Sequence, residues 1–148
     1  MRCCERWGVI QPIAEISAIV KAYGGVLIVD AVQAPGRIPL DMSTGYADFM
    51  ILSAHKMGGP KGVGALISNS TLLMPAPLTR GGGQEKGHRA GTEALSLIAG
   101  FGAAAKLASE RLEQAGKLSE MRDKVEAIIR GLVPDAVIHG TAAARLPN

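Results

Sequence analysis

Val26-Leu27-Ile28-Val29, running directly into Asp30-Ala31-Val32-Gln33, is the stretch whose reading decides the fold. Its first half is continuously apolar and mostly β-branched, so the strand it predicts is buried on both faces, as in a parallel sheet. Its second half turns polar at once, beginning with a carboxylate. The pattern returns at Ala47 to Lys56: Asp48, then Phe49-Met50-Ile51-Leu52, then Ser53-Ala54-His55-Lys56. Gly62 to Ser68 is a third strand candidate, with glycines that let another backbone approach closely. Upstream, Ile13, Ile16, Ile19 and Val20 recur at helical spacing, predicting a helix over Pro12 to Tyr23. Pro12 suits its first turn and Gly24-Gly25 its end. Downstream lie a proline-containing connection (Thr71 to Thr79) and a glycine-rich charged loop (Gly81 to Gly91). A helical pattern follows from Thr92 to about Leu132, which Gly116 bends or divides. Val133-Pro134 stops it, and Ala136 to His139 reads as a short strand. Alternating helices and buried strands predict an α/β layered fold.

Size and composition bound the rest. A chain of 148 residues suits one domain, and 47% apolar residues suffice for a core. Aromatics make up only 3%, so Ala, Val, Ile and Leu must fill it. The net charge of +3 comes from scattered Lys and Arg with no interleaved aromatics, which gives no support to a nucleic-acid surface. The two cysteines, Cys3 and Cys4, are adjacent, a poor geometry for bridging each other, and form no CxxC pair. A reducing, cytoplasmic setting is expected. No apolar run reaches the roughly 18 residues of a membrane span, and no signal-peptide pattern is visible.

In open α/β sheets, ligands bind at the carboxyl ends of strands. Two polar clusters fall there, Asp30-Ala31-Val32-Gln33 and Ser53-Ala54-His55-Lys56. A lysine amine can condense with the aldehyde of pyridoxal phosphate (PLP). A carboxylate can pair with the pyridine nitrogen and keep it protonated, so that the ring acts as an electron sink. Ser53 and His55 can donate to the phosphate, and the Gln33 amide to the ring oxygen. Taken singly, each residue has a plainer reading: Asp30 as a turn or cap residue, Lys56 as a solvated charge, His55 as an ordinary hydrogen-bonded side chain. Order and spacing carry the functional reading.

Those motifs are similar to the class V aminotransferase family: Val29-Asp30-Ala31-Val32-Gln33, Asp48-Phe49, Ser53-Ala54-His55-Lys56 and Gly59-Pro60-Lys61-Gly62-Val63-Gly64-Ala65-Leu66. Gly81-Gly82-Gly83-Gln84-Glu85 and Arg89-Ala90-Gly91-Thr92-Glu93 resemble its cysteine desulfurase branch, and Gly8-Val9-Ile10-Gln11-Pro12-Ile13 resembles the segment before the cofactor-site helix. The resemblance covers about Gly8 to Asn148. It implies part of the large domain of a PLP-dependent transferase of fold type I (three-layer α/β/α, mainly parallel sheet), plus the start of the small α+β domain. Residues 1–7 are an unmatched stretch, 8–108 the C-terminal part of the large domain, and 109–148 a linker helix and the start of the small domain.

The resemblance also implies roles. Lys56 matches the Schiff-base lysine, Asp30 the partner of the pyridine nitrogen, Gln33 the donor to the ring oxygen, and Ser53 and His55 the phosphate ligands. Thr92 matches a threonine that reaches the phosphate in the partner subunit of a homodimer. No metal is implied. The implied reaction takes L-cysteine to L-alanine and leaves the sulfur as an enzyme persulfide, for a sulfur acceptor or a scaffold protein of iron–sulfur cluster or thio-cofactor assembly.

The pattern also breaks. Cys4-Glu5-Arg6-Trp7 stands where the family carries an Asn-Asn-Glu type motif. The ring-stacking histidine, the nucleophilic cysteine and the arginine for the substrate carboxylate are expected outside this chain, because both ends read as cut. Cys3 and Cys4 precede Lys56 and so do not match that nucleophile. Exposed sheet edges and poor stability are expected of the chain alone. The rival readings are another class V enzyme (a selenocysteine lyase or a small aminotransferase) and a non-catalytic remnant. A P-loop at Gly58 to Gly62 lacks the Gly-Lys-Ser/Thr ending that such a site needs.

Overall fold

The structure is a computed structural model and describes residues 8–70 and 73–147. Cys3, Cys4 and the rest of Met1 to Trp7 lie outside the described residues, as do Thr71 and Leu72 of the proline-containing connection.

Helix α1 spans Ile13–Ala22, with Pro12 as its N-cap residue. It ends as its two glycines require. Gly24 adopts a left-handed φ of 66°, the Gly24 amide donates to Lys21 O, and the Gly25 amide donates to Val20 O. These are the two bonds of a Schellman motif. The chain then enters β1 (Ile28–Asp30), and later β2 (Phe49–Ser53) and β3 (Gly64–Ser68). The sheet order is β1-β2-β3. β1 and β2 run parallel, with Val29 beside Met50, as the paired apolar runs predict. β3 runs antiparallel to β2, with Ser53 beside Gly64, so the sheet is mixed. A side chain at Gly64 would sit 2.8 Å from Leu52 O, which explains glycine at that close approach.

β1 starts two residues later than the apolar run because Asp48 intervenes. Its Oδ2 accepts from the Leu27 amide at 2.8 Å, while Leu27 O accepts from the Asp48 and Phe49 amides. Leu27 is buried, so its amide has no ready substitute partner. Asp48→Ala is expected to destabilise the fold by about 1–3 kcal/mol, with Asp48→Asn recovering most of the loss, as measured by denaturant unfolding.

One sheet face packs on α1. Leu27, Val29, Ala31, Ala34, Ala47 and Met50 form the core there, with Ile13, Ile16 and Val20 against them. On the other face Ile28, Ile51 and Leu66 are exposed. Helix α2 (Leu95–Arg111) and helix α3 (Ala115–Leu132) follow, separated by a short 3-10 turn over Leu112–Gln114. The break therefore precedes Gly116, which lies inside α3. A second small core joins Ala104 and Ala108 of α2 to Met57, with Leu52 and Phe101 beside them.

One reading of the C-terminal stretch needs correction. Ala136 to His139 is not a strand. Pro134-Asp135 makes a turn closed by the Ala136 amide on Val133 O, and the segment finds no neighbouring strand to complete a ladder among the described residues. The small polar tail, in contrast, is docked. Val9 and Arg145 form an antiparallel bridge, flanked by Ile10 N–H to Ala144 O (2.8 Å) and Leu146 N–H to Gly8 O (2.7 Å). α3 holds this pair through charge. The Arg145 guanidinium donates to both oxygens of Glu126 at 2.6 and 3.1 Å, and Arg122 donates to Leu146 O at 2.6 Å.

The hydrogen bond from Arg145, followed by the attraction of Arg145 and Arg122, holds the Glu126 carboxyl below its ordinary value against the opposing effect of desolvation. A lowered folded-state pKa contributes stability that is present above the ordinary carboxylate value and is lost as pH falls through the lowered one. The tail is therefore expected to detach in acid. Protection factors of the Ile10 and Leu146 amides, taken against the intrinsic exchange rate at each pH, should fall at low pH in the native chain and should already be low at neutral pH in Glu126→Gln.

Candidate functional site

β1 and β2 are parallel neighbours, so their C-terminal ends open on one edge of the sheet. The last bond between them, Ala31 N–H to Ile51 O at 3.0 Å, fixes how close the two following loops lie. The first loop carries Asp30 and Gln33, both half-buried. Asp30 Oδ1 accepts from the Val32 amide at 3.2 Å, which turns the chain and orients the carboxylate. The second loop is a 3-10 turn over Ala54–Met57, closed by Gly58 in a left-handed conformation. Gly58 (φ 90°) and Gly62 (φ 89°) bracket a reversal that sends the chain back as β3.

Ser53, His55 and Lys56 sit at the start of that turn. Ser53 Oγ and His55 Nδ1 share a hydrogen bond of 2.9 Å, which couples a hydroxyl and an imidazole on the same loop. Lys56 is half-buried, and among the described residues its ammonium pairs with no carboxylate. The structure thus gathers five of the candidate residues, Asp30, Gln33, Ser53, His55 and Lys56, onto two adjoining loops. Thr92 stands apart. It is exposed on the loop before α2, its carbonyl accepts from Arg89, and none of its hydrogen bonds goes to the other five.

Two features escaped the sequence. The first is the seat of the Lys56 turn. Gly100, Ala104 and Ala108 recur every four residues along α2. A methyl group on Gly100 would lie 3.0 Å from Pro60, one on Gly59 would lie 2.9 Å from Ala104, and one on Gly36 would lie 3.4 Å from Ala108. This small-residue stripe lets α2 press against both strand-end loops, and its spacing was visible in the sequence. The second is Arg37, whose Nη1 donates to the backbone carbonyls of Gln33 (3.1 Å) and Lys56 (3.4 Å). Nothing in residue type or spacing signals a bond to a carbonyl.

A cavity of about 340 Å³ reaches Lys56 from the helix side. Arg37, Lys56, Arg111 and Lys117 line it without a carboxylate, and Gln114 completes the polar wall. It shares Lys56 with the strand-end cluster but not Asp30, Gln33, Ser53 or His55.

Comparison with known proteins shows the family. Residues 5–139 match the family described as Aminotransferase class-V. The chain belongs to the class-V aminotransferase family. Among curated class-V relatives, a cysteine desulfurase of Trichormus azollae is 43% identical over 142 residues, covering 95% of this chain and 35% of the relative. The cysteine desulfurase NifS of Azotobacter vinelandii is 40% identical over 143 residues, with the same coverage. The solved structure of a NifS-like protein from Rickettsia africae superposes with a TM-score of 0.88 at 38% identity, over 96% of this chain and 39% of that one. The class-V chain described here thus spans about a third of the length of these relatives. Its fold is a partial α/β unit of the NifS-like, fold-type I kind. Among its described residues no helix is long and apolar enough to cross a membrane.

Proposed function

We propose that this chain is the cofactor-holding part of a PLP-dependent cysteine desulfurase. The observation that carries the proposal is the pairing of Asp30 and Lys56 on the ends of adjacent parallel strands. The donor set suits PLP: an amine without a carboxylate partner among the described residues for the aldehyde, a half-buried carboxylate for the pyridine nitrogen, and a hydroxyl and an imidazole for the phosphate. Bound there, PLP supplies an electron sink for carbanion chemistry at a substrate amino acid.

The chain's own residues then divide the work. Lys56 anchors the cofactor, and its freed amine can carry a proton to and from the substrate. Asp30, oriented by the Val32 amide, keeps the ring nitrogen protonated. Gln33 donates to the ring oxygen. Ser53 and His55 hold the phosphate, and Thr92 reaches the phosphate of a partner subunit in a homodimer, which accounts for its distance from the others. The substrate is L-cysteine, and the products are L-alanine and a persulfide on an enzyme cysteine. A sulfur acceptor or scaffold protein of iron–sulfur cluster or thio-cofactor assembly receives the sulfur. We place the boundary between the large domain and the start of the small one at about Ala108, and the protein in the cytoplasm. The nucleophilic cysteine and the carboxylate-binding arginine belong to parts of the family fold beyond the matched segment, so this chain alone is expected to bind the cofactor without turning over cysteine.

The test is incubation with PLP, reduction with borohydride and peptide mapping. A pyridoxyl group on Lys56 supports the reading. An unlabelled Lys56 in a folded sample overturns it in favour of a non-catalytic remnant. Release of alanine and sulfide from L-cysteine by a longer protein containing this segment tests the reaction itself.

A further inference from the structure

We propose that Arg37 is a positioning residue that sets the spacing between the two cofactor loops by clamping their backbones together. The inference deepens the reading above and rests on it for the identity of the ligand. Arg37 follows the Asp30 loop, within a turn closed by the Arg37 and Ile38 amides on Ala34 O. One guanidinium nitrogen, Nη1, donates both to Gln33 O in its own loop and to Lys56 O in the other.

The Lys56 carbonyl is otherwise poorly provided for. The bonds that close its turn, from the Gly58 and Gly59 amides, both go to Ala54 O. Beyond Ala31 N–H to Ile51 O the strand ladder has ended, so the loops past that point have lost their regular cross-links. Arg37 supplies a charge-assisted replacement there, between the residue proposed to touch the ring oxygen and the residue proposed to hold the aldehyde carbon. Among the described residues no carboxylate forms an ion pair with Arg37, which leaves Nη1 to serve the two carbonyls. It also borders the cavity beside Lys56, so a shortened side chain there leaves solvent rather than a packed void.

Arg37→Met keeps the aliphatic stem and removes the donors, while Arg37→Lys keeps a donor and the charge. Hydrogen exchange is read in the cofactor-free chain. Arg37→Met should speed exchange at the Gly58 and Gly59 amides by about tenfold, the effect of losing one charge-assisted bond, with β2 amides unchanged. Arg37→Lys should restore most of the protection. Unchanged exchange at Gly58 and Gly59, or an Arg37→Lys variant that behaves like Arg37→Met, overturns the clamp. A second readout is the PLP dissociation constant, expected to rise about tenfold in Arg37→Met and to recover in Arg37→Lys. Failure of the unsubstituted chain to take up PLP would count against the cofactor reading, while the exchange experiment still decides the role of Arg37.

Discussion

Lys56→Ala removes all borohydride-trappable pyridoxyl from this chain while leaving its unfolding transition nearly unchanged. The first half of that expectation follows from chemistry. Covalent capture of an aldehyde needs a primary amine that is unprotonated part of the time and close to the carbonyl carbon. Among the other lysines, Lys117 borders the same cavity, but it stands on α3 and not at a strand end. Lys61 is exposed past the turn, and Lys21 is drawn to Gly45 O at the far end of α1. The second half follows from packing. The Lys56 side chain forms no ion pair among the described residues and borders a cavity, so truncation removes little buried contact. Lys56→Arg sharpens the test, because it keeps the charge and the length but cannot condense with the aldehyde. A pyridoxyl label that persists elsewhere in the chain at the same yield would show that capture is unspecific.

A large loss of stability is expected a few residues on. Gly59→Ala should destabilise the chain by about 1–3 kcal/mol, the usual range for forcing extra atoms into a packed contact. The added methyl would stand 2.9 Å from Ala104 Cβ and 3.0 Å from Ala54 O. The second of these is a carbonyl that accepts the Gly59 amide, so it cannot shift without loosening the turn that carries Lys56. Ala104→Gly in the same chain relieves the first contact and not the second. The double variant should therefore recover part of the loss, less than the two single effects taken independently would give. Denaturant midpoints of the four species decide this. Strict additivity would mean that the α2 contact does not seat the turn.

Much of this site was legible before the structure. Asp30, Gln33, Ser53, His55 and Lys56 follow apolar runs that had to be strands, and strand ends are where an α/β sheet leaves room for ligands. The direction of β3 was not legible, because Gly62 to Ser68 reads the same in either direction. The reversal is set by Gly58 and Gly62 at left-handed φ, a matter of backbone rather than pattern. Ala136 to His139 was apolar enough for a strand, but after the turn at Pro134-Asp135 it joins no ladder among the described residues. The docking of the tail was not legible because its anchors, Arg122 and Glu126, lie some twenty residues earlier on α3. Thr92 was placed in the site on resemblance alone, and nothing in one copy of the chain draws it there.

The bridge between Val9 and Arg145 has a consequence of its own. Gly8 to Ile10 and Ala144 to Leu146 lie side by side, and Arg122 and Glu126 of α3 hold the second of them. The segment between them is thus laid out like a cassette on a two-stranded stalk. Any longer chain that contained it could bring strands in and out at one location, without threading through the sheet that holds the lysine.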